Sequence, residues 1–310
     1  MRLVFAGTPA TAVPTLEALL KSGHTVAAVI TRPDAKSGRG QHMVTSPVAA
    51  RAQEAGVEVL RPERPRDPAF LARLREIGPD CCPVTAYGAL IPQAALDIPV
   101  HGWVNLHFSV LPAWRGAAPV QHAILHGDDV TGATTFRLVA ELDAGPVFGV
   151  LTEAIRPSDT AGDLLDRLAV AGADLMVATL DGIESGELDA REQPGFGISL
   201  APKITPADAR IDWRQPAMAI GRLIRACTPE PGAWTELDGT RVKVWPVTPA
   251  GADADRLEPG ELRALRDRVL VGSATVPVEL GDVQQHGKRR MGAADWARGL
   301  RLGSQPAVLG

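Results

Sequence analysis

Two side chains able to stabilise a developing oxyanion stand two residues apart at Asn105 and His107. On a strand such a pair shares one face, ~7 Å apart. An amide donor beside an imidazole suits acyl transfer. Both groups can hydrogen-bond an oxygen that gains charge as a carbonyl becomes tetrahedral, and the imidazole can also move a proton. Asp143, in Glu141-Leu142-Asp143-Ala144-Gly145-Pro146, supplies a carboxylate. It could fix the tautomer of His107 and raise an imidazole pKa that starts near ~6.5. Taken singly, an Asn-x-His on a strand is more often structural, and an aspartate before Gly-Pro more often a turn residue.

Other chemistries find little support. There is no Gly-x-Ser-x-Gly, no cysteine beside a base, and no paired-histidine or paired-carboxylate metal spacing, so no metal is expected. Gly7-Thr8-Pro9 ends an apolar run where a phosphate loop could sit, but lacks both Gly-x-Gly-x-x-Gly and Gly-Lys-Ser/Thr. The segment from Thr31 to His42 is basic and reads as a flexible loop, with Arg39 between Gly38 and Gly40. An arginine so mounted suits clamping phosphates or entering between bases. Lys203, Arg225 and the run Lys288-Arg289-Arg290 are further candidates for phosphate contact.

The elements that must position these groups follow from periodicity. Residues 2–6 form a buried-strand run, followed by a helical pattern (Val13, Leu16, Leu19, Leu20) and a second strand over 25–31. Strand–helix–strand order signals a parallel sheet with crossover helices. Further strands are expected at 57–60, 81–86, 103–107, 133–139 and 147–153, and helices at 46–55, 67–77, 117–126 and 160–183. Asn105 and His107 then lie at a strand's carboxyl end, where open α/β sheets bind ligands. Pro83 sits awkwardly in a central strand because it lacks a ladder donor. After a Gly/Pro-punctuated connector, a helix at 218–227 precedes short strands at 233–237, 242–247, 269–271 and 275–280, with a hairpin signal at Asp238-Gly239. This pattern suggests a small β-barrel, a module that often holds RNA. The expected organisation is a doubly wound, mostly parallel α/β domain over 1–187, a linker over 188–204, and a β-barrel over 205–310.

The 310 residues are about twice the commonest domain size, in keeping with two domains. With 45% hydrophobic and 22% charged residues, disorder is excluded as the main state. No apolar run approaches the ~18 residues of a membrane helix, and the N-terminal apolar stretch is too short for a secretory signal. Three cysteines make no disulfide framework. A cytoplasmic location without membrane association is expected. The net charge of −4 argues against bulk coating of nucleic acid. Basic groups nonetheless gather at both ends: residues 1–75 hold 11 basic and 6 acidic groups, and residues 201–310 hold 16 and 13.

The stretch from Asn105 to Pro119 reads Asn-Leu-His-x-Ser-x-Leu-Pro-x-Trp-Arg-Gly-Ala-Ala-Pro. Leu-Asp-x-Gly follows at 142–145, alongside Phe5-Ala-Gly-Thr-Pro9, Gly38-Arg-Gly40, Ala86-Tyr-Gly88, Ala209-Arg-Ile-Asp-Trp213 and Val242-Lys-Val-Trp245. Together they resemble the formyl-folate-dependent formyltransferase superfamily over nearly the whole chain. The basic loop and C-terminal segments resemble its methionyl-tRNA-specific branch. The resemblance implies a Rossmann-like catalytic domain and an OB-like C-terminal domain contacting the inner side of tRNA. It implies formyl transfer from 10-formyltetrahydrofolate to the α-amine of methionine on initiator methionyl-tRNA. Asn105, His107 and Asp143 match the catalytic trio, with Asn105 and protonated His107 holding the oxyanion and Asp143 orienting the imidazole. Ser109, Val110, Leu111 and Pro112, with Tyr87 and Gly88, match the folate site. Arg39 matches the loop entering the acceptor end, and Lys203 and Arg225 are candidate tRNA contacts. A monomer is expected.

Val110, Ala113, Gln41-His42 and Cys82-Pro83 depart from the usual pattern. The changes at 41 and 113 remove positive charge that would strengthen phosphate contacts. The competing readings are a formyltransferase acting on a small amine (a glycinamide ribonucleotide or an amino sugar), a hydrolase releasing formate from the same folate, and a folate- or RNA-binding protein with an inactive site.

Overall fold

The computed structural model describes residues 1–37, 42–251, 254–300 and 307–310. Its central sheet has seven strands, ordered Glu58–Leu60, Thr25–Ile30, Arg2–Gly7, Cys82–Thr85, Trp103–His107, Val130–Arg137 and Val147–Ala154. The first five pair in parallel and the last two are antiparallel. Strand order reverses between Arg2–Gly7 and Cys82–Thr85, which is the ligand-binding switch point of a doubly wound sheet. Leu3, Val4, Phe5 and Ala6 are fully buried, as a central strand covered on both faces requires.

Local chemistry starts and stops the crossover helices. Pro47–Glu54 begins behind Ser46, whose hydroxyl accepts the Ala49 N–H at 3.1 Å, and Pro47 opens its first turn. Pro68–Ile77 stops at Gly78, whose φ of 62° takes the left-handed closing turn. Pro83 does lie inside a central strand. Leu3 stands opposite Cys81 and Ala6 opposite Val84, but the pairing between those points is interrupted where Pro83 has no N–H to give.

Two compact units emerge. One comprises Met1–Pro119, Val130–Ala154 and Leu165–Leu200; the other comprises Val120–Asp129, Ile155–Leu164 and Ala201–Gly310. In the second, the expected barrel-like module consists of two antiparallel sheets. One contains Trp234–Leu237, Thr240–Val244, Asp282–Gln285 and Met291–Gly292. The other contains Thr248–Pro249, Glu261–Ala264, Val269–Val271, Val278–Glu279 and Ala307–Val308. Both feed one core, Val242, Val244 and Val283 from the first and Leu262, Val269 and Val278 from the second, closed by Ile220 and Ile224 of the helix Ala217–Ala226.

Several expectations needed correction. The loop over 31–42 contains paired backbone, because Ala35–Ser37 and His42–Val44 form an antiparallel ladder. Arg39 lies outside the described residues. The strand expected at 133–139 runs Val130–Arg137, and the one at 275–280 shrinks to Val278–Glu279. Strands of two to four residues at 248–249, 261–264, 282–285, 291–292 and 307–308 are too short to display alternation. Among the described residues no helix is long and apolar enough to cross a membrane.

Candidate functional site

Trp103–His107 presents its two faces to different surroundings. Leu106 packs against Gly172 of the helix Ala161–Ser185, where a Cβ on that glycine would lie 2.9 Å from the leucine. Asn105 and His107 therefore share the opposite face. Asn105 is half-buried, and its side-chain amide makes no hydrogen bond to another described residue. His107 is buried, with the Phe136 ring edge-on at 6.3 Å.

The next segment folds back over this strand end. Ser109 Oγ donates to the Ala113 carbonyl at 2.6 Å, and the Ser109 carbonyl accepts from Thr134 Oγ1 at 2.7 Å. Thr134 Oγ1 also accepts the Leu111 N–H at 3.2 Å. The bend delivers Trp114 in the left-handed region, with φ at 59°, so that its carbonyl accepts from His107 Nε2 at 2.8 Å. A carbonyl can only accept, which places the imidazole proton on Nε2 and leaves Nδ1 with its lone pair in the neutral ring.

Nδ1 faces Asp143 Oδ2 across 3.8 Å. That gap exceeds a hydrogen bond. The same oxygen accepts the Gly116 N–H at 2.8 Å. Asp143 is also left-handed, with φ at 47°, and strained non-glycine backbone of this kind persists only where its surroundings hold it. The tautomer is thus set by Trp114 rather than by Asp143. Asp143 does pull the imidazole pKa up, as expected, but the net shift is downward. Burial pushes His107 below its ordinary value; attraction to Asp143 and the Trp114 hydrogen bond oppose that shift without overcoming it. The net shift favours the neutral ring.

Sequence reasoning missed three groups that hold this arrangement. Gln193 Nε2 donates to the carbonyls of Asp143 and Gly145, each at 2.8 Å, while its Oε1 accepts from Arg115 Nε at 3.1 Å and Nη2 at 2.7 Å. Arg115 is itself buried. Ser199 Oγ accepts the Trp114 N–H at 2.9 Å. Arg115 belonged to the legible motif; Gln193 and Ser199 lay in what reads as a connector and carried no signal.

The remaining candidates are dispersed. Val110 is half-buried, while Leu111 and Pro112 are buried in the loop after the strand. The Tyr87 side chain is in the core with Phe70, Leu74 and Trp103, leaving its carbonyl to accept from Thr8 Oγ1 at 2.8 Å. Gly88 is exposed with φ at 82°. Lys203 is exposed in the second unit. Arg225, half-buried there, donates to the Asp159 carbonyl at 3.0 Å, and burial lowers its pKa. Among the described residues, the one grouping with metal-ligand spacing is His24, Asp181 and Glu184. The Met1 ammonium bridges to Glu184 of that cluster.

Known proteins are similar to this chain over most of its length. A methionyl-tRNA formyltransferase of Thermobifida fusca is 66% identical over 303 residues, spanning 98% of this chain and 97% of its own. One from a Nocardioides strain is 64% identical over 97% and 96%. Among solved structures, HypX from Aquifex aeolicus in complex with tetrahydrofolic acid superposes with a TM-score of 0.65 at 18% identity, covering 99% of this chain and 50% of that one, which speaks to the fold. Residues 1–180 match the formyl transferase family, and residues 203–301 match the formyl transferase C-terminal domain. The chain belongs to the formyl transferase family.

Proposed function

We propose that this chain transfers the formyl group of 10-formyltetrahydrofolate to the α-amine of methionine on initiator methionyl-tRNA. Relatives at more than 60% identity over nearly the full length support the substrate pair. The observation that carries the site reading is buried His107 facing the Asp143 carboxylate at 3.8 Å, on the strand face that Asn105 shares. The first unit would hold the folate, with the 109–112 segment beside the trio. The barrel-like unit, with Lys203 and Arg225, would meet the tRNA together with the loop that contains Arg39. We place the enzyme in the cytoplasm as a monomer.

The donor supplies a formyl carbon whose bond to nitrogen breaks as the acceptor amine bonds to it. Asn105 donates its amide N–H to the formyl oxygen as that oxygen gains charge. His107 is not charged beforehand and so acts first as a base. Its Nδ1 takes the proton that the attacking amine sheds, and Asp143 stabilises the resulting imidazolium. The proton then passes to the departing folate nitrogen, returning His107 to its neutral form.

The test incubates the purified chain with 10-formyltetrahydrofolate and either charged initiator tRNA or a free small amine. Formylmethionyl-tRNA is the expected product, and formylation of the small amine alone overturns the reading. A lost oxyanion donor costs ~3–4 kcal/mol of barrier, so Asn105→Ala should lower kcat by about a hundredfold or more with folding intact.

A further inference from the structure

The two left-handed residues that shape the reaction centre, Trp114 and Asp143, are 29 positions apart in sequence. Both are held by one later stretch of chain. Arg191 enters that stretch by pairing with Val147 in both directions, at 2.7 and 2.8 Å. Gln193 then uses all of its hydrogen-bonding capacity, giving both Nε2 protons to the Asp143 and Gly145 carbonyls and receiving two donors from Arg115 on Oε1. Ser199 receives the Trp114 N–H on its hydroxyl and the Arg115 N–H on its carbonyl, at 2.9 Å each.

These contacts converge on the atoms that set the imidazole. The Trp114 carbonyl fixes the His107 tautomer, and Gly116, next to Arg115, binds Asp143 Oδ2. Without Gln193, the Asp143 carbonyl loses the donor that holds its strained backbone. Without the Ser199 hydroxyl, the Trp114 N–H loses that acceptor at another strained position.

We propose that residues 191–200 brace the reaction centre, with Gln193 and Ser199 as positioning residues that hold Asp143 and Trp114 and, through them, His107. This inference rests on the formyl-transfer reading. It adds a role for a segment that otherwise reads as a connector.

The test uses the full chain with Gln193→Ala, Gln193→Glu, Ser199→Ala and Ser199→Thr. Steady-state formylation of methionyl-tRNA is measured from about pH 5.5 to about pH 8.5, with thermal unfolding alongside. The alanine variants should lose about tenfold or more in kcat, with KM for either substrate within about twofold, since misplacement near 1 Å costs on this scale. A slackened Asp143 supports the imidazolium less, so the acid limb of kcat should move to lower pH in Gln193→Ala. Gln193→Glu keeps the acceptor for Arg115 but loses both donors, and should be as impaired as the alanine variant. Ser199→Thr, which retains the hydroxyl, should recover kcat.

A folded Gln193→Ala with wild-type kcat and an unmoved acid limb overturns the brace, as does a Gln193→Glu of full activity. If the alanine variants do not fold, Gln193→Glu, isosteric with the native residue, decides alone. Wild-type chain that fails to formylate methionyl-tRNA refutes the functional reading. An active wild type with unaffected variants refutes only the brace.

Discussion

Replacing Asp143 with asparagine removes one charge while keeping an oxygen that can accept the Gly116 N–H, so the loop should fold as before. The charge acts on His107 Nδ1 from 3.8 Å. At an effective dielectric near 20, two unit charges at that separation attract by about 4 kcal/mol. The carboxylate already shares Oδ2 with Gly116 and keeps 12% of its side-chain surface exposed, so about 3 kcal/mol is the fair expectation, or about a hundredfold in kcat. The pH profile supplies an independent sign. Asp143 pulls the His107 pKa up against burial. Removing that pull lowers the pKa further, and His107 stays neutral to lower pH. The acid limb of kcat should therefore shift downwards while the plateau falls. Initial rates of methionyl-tRNA formylation across pH, on a variant whose unfolding temperature matches wild type, read both effects. A plateau within about threefold of wild type, or an acid limb displaced upwards, would refute the assignment of Asp143 as partner of an imidazolium.

Three other outcomes follow from the same coordinates. In Gly145→Ala the new Cβ would lie 1.8 Å from the Arg137 carbonyl, so the loop must shift; a loss of about 2 kcal/mol in stability and a fall in kcat should be measurable by denaturant unfolding and formylation rate, and an unperturbed variant would contradict the packing. Burial pushes the thiol pKa of Cys81 to about 12, that of Cys227 to about 11, and that of Cys82 well up; native protein should resist a disulfide reagent near pH 8 and release three thiols on unfolding, whereas a fast-reacting native thiol would exclude the burial. For stability, the His107 pKa is lower folded than unfolded, so below about 6.5 the unfolded chain binds the extra proton first. Its contribution is complete above that value and is lost as pH falls towards the folded pKa. His107→Asn should thus show a flatter stability curve between about pH 7.5 and about pH 5.5, and a steeper one would reverse the sign.

The parallel sheet was legible because its strands are buried on both faces and read as apolar runs. Trp103–His107 was placed to the residue, and the crossover helices announced themselves through Pro, Ser and Gly at their ends. The candidate trio could be proposed from the sequence because each member sits in a dense local motif. What stayed hidden was non-local or too short. Gln193 reaches Asp143 across 50 positions and Arg115 across 78, and nothing in a Gly/Pro-punctuated stretch marks one glutamine as special. Several strands of the second unit span two residues, below the length at which alternation can register. The direction of the net shift at His107 stayed hidden for a related reason. A carboxylate 36 positions away can be paired with a histidine on paper, but the burial that outweighs it is a property of the packed loop.

Under the proposed mechanism, the site becomes satisfied only after a proton has moved. Nε2 is committed to the Trp114 carbonyl, so neutral His107 turns a lone pair towards a carboxylate that cannot donate to it. Burial disfavours charging the ring in advance. The unfavourable pairing is nonetheless kept, because Asp143 and Trp114 are both locked in left-handed backbone by partners on a third segment. In the proposed mechanism the attacking amine sheds its proton to Nδ1, and the same geometry then becomes an ion pair in a poorly solvated place. The gain appears as charge develops and is absent in the ground state, and only such differential stabilisation accelerates a reaction. A histidine protonated at rest would have formed that ion pair beforehand and would have no lone pair to offer the amine. On the proposed mechanism, the lowered pKa of His107 serves the reaction, and the loops around it matter alongside the trio they present.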